Sequence, residues 1–342
     1  MPPEPNNLEN LQKQDADTSL VRTQEDTPHD LLKGPFGLRA GWGIALFVVF
    51  ILILSEALTL LLQRFVAKGT SPANAERLGH TLLNEALAAG IVLASSWLVL
   101  RIEGRRLRGA YFTQAHRSDL ARGAFWGLLL LSALLAMLHF RGLLFFDERL
   151  LSVTAAVKYG VLWLVTFFCV GVFEEGLFRG YLQATLTRGI LRLSPTLDRG
   201  KALNLAFLAA AVVTSALFFL AHTSNTGETP EGLAAVFLAG IMFCYALWRT
   251  GSLWWGIGFH MAWDWGESFL FGVPDSGSVS VPRLFATHPA GRAIFSGGAA
   301  GPEGSVYVLA VFVLAIVAVH CTVRGRSLPM PQLLRGKNEH TA

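Results

Sequence analysis

Glu174, Glu175 and Arg179 stand together in the string VFEEGLFRGYLQ, inside an otherwise apolar stretch. On a helix Glu175 and Arg179 are four residues apart, so they share a face and can pair. Glu174 is turned about 100° from Glu175 and is free to project towards another helix. One carboxylate can then sit in an ion pair while the other does chemistry, and a buried carboxylate suits a general base. His222 closes a second string, ALFFLAHTSN, with Phe218 one turn earlier on the same face. His260 and Asp264 follow in GFHMAWDWGE, again four apart, so Asp264 can orient the imidazole or bind beside it. Two chemistries use such a set. In one, Glu174 and His222 hold and deprotonate a water, while His260 and Asp264 position a carbonyl and stabilise its oxyanion. In the other, Glu174, His222 and His260, with Asp264 in a wider set, ligate a zinc ion that activates the water. Either route hydrolyses an amide bond. The HExxH helix of the zincins is absent.

The elements that must carry these residues are membrane helices. Of 342 residues 52% are hydrophobic and 15% charged, with mean hydropathy +0.46. A soluble domain has about a quarter charged residues. The apolar residues come in runs of the length that crosses about 30 Å of hydrocarbon. Eight runs predict an all-α, polytopic membrane helix bundle, with spans 41–63, 82–100, 121–140, 159–187, 203–222, 232–249, 252–271 and 305–323. Period-two alternation is missing, so no strands are expected. Residues 1–38 are polar and lack an apolar period, which predicts a disordered tail. Residues 39–325 form the transmembrane domain and 326–342 a cytoplasmic tail. Cys169, Cys244 and Cys321 lie inside apolar runs, unspaced for a disulfide framework or a zinc ribbon.

Lys and Arg set the orientation. Arg101, Arg105, Arg106, Arg108, Arg117 and Arg122 surround the 2–3 connection, and Arg188, Arg192, Arg199 and Lys201 the 4–5 connection. The C-terminal tail holds Arg324, Arg326, Arg335 and Lys337, while the 5–6 connection holds no Lys or Arg. Both termini are therefore expected in the cytoplasm. Net charge is +4, but no basic stripe with interleaved aromatics occurs, so the partner is membrane lipid and not nucleic acid.

A charge at mid-bilayer costs about 2.5–3.5 kcal/mol, so each one needs a reason. Taken singly, Glu175–Arg179 reads as a packing ion pair, His222 as a helix end, and His260–Asp264 as an interhelical hydrogen bond. Three such costs on three helices favour a site. Glu56, Glu85, Glu267, His139 and His320 read as helix–helix hydrogen bonds or interface positions, with Glu267 roughly on the face of His260. Trp163, Trp248, Trp254 and Trp255 read as interfacial anchors, and Gly176 and Gly180 as close-packing positions.

Taken in order, Glu174-Glu175 with Arg179, Phe218 with His222, and His260 with Asp264 resemble the EExxxR, FxxxH and HxxxD/N motifs of the CPBP family of intramembrane proteases. This is also the Abi or type II CAAX prenyl endopeptidase family. The resemblance spans roughly residues 80 to 275, and Glu103–Arg106 looks like the segment before the first motif. It implies an intramembrane endopeptidase acting on a membrane-associated protein or peptide. Glu174 matches the catalytic glutamate, His222 the histidine sharing its water, and His260 and Asp264 the oxyanion-side pair, with Glu175, Arg179 and Phe218 in support. Asp264 stands where eukaryotic-type enzymes tend to have Asn. Members are described both as zinc enzymes and as metal-free glutamate proteases. Short connections and the lack of a eukaryotic targeting signal point to a bacterial inner membrane. A non-catalytic scaffold or immunity factor on the same fold is the alternative. A proton-relay transporter is disfavoured, since no internal repeat is seen.

Overall fold

In a computed structural model of the chain, the described residues are 32–34, 37–63, 74–105, 118–193 and 198–323. Most of the predicted N-terminal tail, the C-terminal tail and Arg106–Arg117 of the 2–3 connection lie outside them. The helices are α1 (Ala40–Gln63), α2 (Asn74–Ile102), α3 (Ser118–Phe140), α4 (Val153–Glu175), α5 (Gln183–Leu191), α6 (Arg199–His222), α7 (Pro230–Thr250), α8 (Trp254–Trp265) and α9 (Tyr307–Thr322). A π-helical stretch, Gly176–Leu182, joins α4 to α5 without a break, and a second, Gly266–Phe271, extends α8.

Six helical runs are long and apolar enough to cross a membrane: Ala40–Leu61, Arg77–Ile102, Ser118–Phe140, Val153–Leu191, Gly200–His222 and Pro230–Thr250. The protein is thus a polytopic helical membrane protein. The last two predicted segments fold differently. The seventh is the twelve residues of α8 followed by the π turn. The eighth is α9, whose 16 residues rise about 24 Å, short of the hydrocarbon thickness. Apart from His260 and Asp264, α8 is apolar because it lies inside the bundle, with Trp255, Ile257 and Phe259 essentially fully buried against α3, α4 and α7. The faces turned outward are equally apolar: Leu52 and Ile53 on α1, Val157 on α4 and Leu208 on α6 are each more than half exposed. A bilayer covers such faces.

The expectation of no strands is corrected. β1 (Leu144–Arg149) and β2 (Phe285–Pro289) pair antiparallel, with Phe145 opposite His288, and a two-residue pairing of Lys33–Gly34 with Gly37–Leu38 precedes α1. β1 buries only its first residue, so it has no alternation to detect, and its partner lies some 140 residues away.

Helix ends follow local chemistry. Thr229 caps α7 by accepting from the Gly232 N–H at 3.0 Å, with Pro230 in the first turn. Gly251 ends α7 at φ 66°, a left-handed cap that turns the chain at once into α8. The closest helix crossing is α3 on α8. A Cβ on Gly123 would strike the Trp255 carbonyl, one on Gly127 the Phe259 carbonyl, and one on Gly258 the Leu120 carbonyl. These obstacles are backbone and cannot swing away. Gly258→Ala should therefore destabilise by at least about 1–3 kcal/mol, read as a fall in Tm of the detergent-purified protein. Gly176, by contrast, would meet only Val92 at 3.4 Å.

Candidate active site

The helical run Val153–Leu191 has 39 residues and is about 58 Å long. It overreaches the bilayer, so its middle, where Glu174 lies, meets the last turn of α6, where His222 lies. α8 brings His260 and Asp264 between them. Glu174, His222, His260 and Asp264 all line one cavity of about 620 Å³, with Phe218 on its wall. Glu175 and Arg179 lie behind that wall, each 1% exposed.

His260 is the junction. Its Nδ1 donates to Glu175 Oε1 at 3.2 Å, and its Nε2 lies 3.6 Å from Glu174 Oε2 and 3.5 Å from Asp264 Oδ2. Glu175 Oε1 also accepts from Arg179 Nη1 at 3.1 Å. Glu175 thus links Arg179 to the imidazole as well as pairing with the guanidinium, a link that spacing alone does not reveal. The Arg179 guanidinium lies 4.2 Å above Phe218 and 5.0 Å from Phe243, so two aromatic faces share its charge. Phe243 stacks on His260 with centroids 5.3 Å apart. His222 Nδ1 donates to the Phe218 carbonyl at 2.8 Å, which leaves Nε2 as the nitrogen able to accept. The π turn begins directly after Glu175, and such turns occur frequently at functional sites.

Sequence reasoning passed over several residues of this cavity. Phe243 is one more aromatic in an apolar helix and carries no signal. Asn225, Asp275 and Glu303 lie in connections, and Glu85 of α2, read as an interface residue, also lines the wall. Glu267 does not line it. His320 does bond across helices, to the Tyr245 hydroxyl at 2.8 Å, and His139 donates to the Leu144 carbonyl at the start of β1. Glu56 is exposed. Burial, then the neighbouring Glu303, push the Asp275 carboxyl up from the ordinary carboxylate range, and burial pushes Glu303 up as well. At the opposite end of α2, Glu103 meets Arg188 of α5 at 3.2 Å and Arg105 at 3.7 Å, while burial pushes it up to about 7 against the pull of Arg105.

Among the described residues, one group of three or more His, Cys, Asp or Glu has ligand atoms mutually within 4.8 Å, and it is Glu267, Asp275 and Glu303. Glu174, His222 and His260, which the sequence allowed as a zinc set in one of two alternatives, do not form such a group. Within this set Glu174 Oε2 and His260 Nε2 lie 3.6 Å apart. All three cysteines are free.

Residues 156–266 match the family described as type II CAAX prenyl endopeptidase Rce1-like. This stretch is a domain of that family. The endopeptidase domain is that of an intramembrane protease, and it contains Glu174, Glu175, Arg179, Phe218, His222, His260 and Asp264. Glu267, Asp275 and Glu303 lie beyond it. No curated protein and no solved structure matches the chain.

Proposed function

We propose that the chain is an endopeptidase that cuts membrane-associated proteins or peptides in the cavity bounded by Glu174, His222 and His260. The observation that supports it most is the convergence of these residues, from three separate helices, on one cavity inside an apolar bundle. Glu174 and the free Nε2 of His222 hold a water. Glu174 takes its proton as the oxygen attacks the scissile carbonyl, and returns that proton to the leaving amine. His260, oriented through Nδ1 by Glu175, presents Nε2–H to the oxyanion, and Asp264 steadies that form of the ring. Phe167, Val170, Phe173 and Leu177 give the cavity an apolar wall that suits a hydrophobic stretch of substrate. The spread of Glu174, His222 and His260 does not suit zinc, and no step is routed through a metal.

The test is elemental analysis beside peptide cleavage, on the wild type and on His222→Ala/His260→Ala in proteoliposomes. The expected result is cleavage by zinc-free wild type, with at least about a 10²-fold loss in the double variant. About one zinc per chain, lost with the two histidines, would replace this mechanism by the metal one. Folded protein with neither zinc nor cleavage would favour the scaffold reading.

A further inference from the structure

A second polar centre stands beside the cavity. Glu267 comes from the π turn after α8, Asp275 from the loop that follows it, and Glu303 from the turn before α9. One carboxylate oxygen from each lies within 4.8 Å of the other two. Glu267 is fully buried, and neither of its oxygens has a hydrogen-bond partner. Its neighbours are held in place by donors. The Ser268 hydroxyl donates to Asp275 Oδ2 at 3.0 Å, Trp263 Nε1–H to Glu303 Oε1 at 2.9 Å, and the Ser276 hydroxyl to Glu303 Oε2 at 3.1 Å. Among the described residues no Lys or Arg forms an ion pair with any of the three, and none lines the adjoining cavity. Three carboxylates this close, one of them buried and unpaired, call for positive charge.

We propose that Glu267, Asp275 and Glu303 bind one hard divalent cation, with calcium as the best match, which pins the 272–304 connection to the end of α8. The donor set is all oxygen, the choice of calcium and magnesium rather than zinc. Oxygens each about 2.4 Å from a calcium ion lie at most about 4.8 Å apart, a limit that one oxygen from each of the three carboxylates satisfies. Each carboxylate keeps free lone pairs: Glu267 accepts from no donor, Asp275 through one oxygen from Ser268, and Glu303 through one bond to each oxygen. The ion would join three segments that are otherwise tied by a few hydrogen bonds, such as Gly277 N–H to the Ala300 carbonyl and Val273 N–H to the Glu267 carbonyl. Asp275 and Glu303 also line the cavity with His222 and His260, so the ion would fix part of that wall and offset its acidity. The site stands on its own geometry and does not depend on the protease mechanism.

The test uses the full chain in detergent, stripped with chelator, and terbium(III) chloride as the probe. The Trp263 indole, bonded to Glu303, is placed to sensitise terbium emission. Saturable emission at one ion per chain is expected, displaced by calcium chloride at lower concentration than by magnesium chloride. Calcium should also raise the Tm. Asp275→Asn and Glu267→Gln should each weaken binding at least about tenfold and abolish the Tm rise, while Glu174→Gln leaves both unchanged. The proposal is overturned if wild type gives no saturable emission, or if Glu267→Gln and Asp275→Asn both bind like wild type. It is also overturned if Glu174→Gln loses the ion while the other two keep it, or if Glu267→Gln raises the Tm and calcium has no effect on wild type, which would mean that the three acids share protons instead.

Discussion

Glu174→Gln should leave the chain folded and slow peptide cleavage by about 10²–10⁴-fold, the range expected for loss of a general base. The side chain is 18% exposed to the cavity, and its Oε2 has no hydrogen-bond partner. Removing its charge therefore strands nothing. His260 keeps Glu175 on Nδ1 and Asp264 near Nε2. The loss should fall on kcat with little change in KM, because the carboxylate acts on the water and not on the apolar stretch of the substrate. Cleavage of a fluorogenic peptide in proteoliposomes, with Tm on the same preparation, checks both halves. Full activity in the folded variant would remove Glu174 from the role of base.

Arg179→Leu should behave in the opposite way and cost stability as well as activity. The guanidinium and Glu175 are both buried, 3.1 Å apart, and Arg179 is the cation in contact with that carboxylate apart from His260. Removing one member of a buried pair leaves an uncompensated charge and costs about 3–5 kcal/mol. The aromatic faces of Phe218 and Phe243 lose their cation too. Glu175→Gln added to Arg179→Leu should recover most of the stability, since replacing a whole buried pair by neutral groups is often close to neutral. Cleavage should stay low in the double variant, because His260 Nδ1 then faces an amide. A double-mutant cycle in Tm and in kcat separates the two effects: recovery of both would make Arg179 and Glu175 purely structural.

The fold was legible where the physics is local. Runs of apolar residues mark six crossing helices, and the pairs Glu175–Arg179 and His260–Asp264 mark helix faces. The seventh and eighth expected spans are shorter among the described residues; α8 is apolar because it is buried inside protein, and hydropathy does not distinguish protein from lipid around a helix. The pairing of β1 with β2 depends on contacts across some 140 residues and has no local period. At the candidate site the motif residues were legible as costly charges. Phe243, which stacks on His260, and Glu175 as the group that orients that ring depend on how helices cross. Glu267 was noticeable as a buried acid, but its neighbours Asp275 and Glu303 lie in loops, where an acid is ordinary.

The π stretch Gly176–Leu182 sets the angular phase of the long helix. Before it, the helix aims Glu174 and Glu175 at α8. Beyond it, Gln183 reaches α6, donating to the Phe207 carbonyl and accepting from the Thr214 hydroxyl, while Arg188 reaches Glu103 at the end of α2. An unbroken α-period would have to satisfy both sets of neighbours with one fixed increment of about 100° per residue. The wider turn resets that count between them. Winding the same residues into a regular α-helix would rotate every later side chain by roughly that increment, away from α6 and Glu103. The irregularity therefore works as a vernier, letting one continuous rod keep two unrelated sets of partners in register.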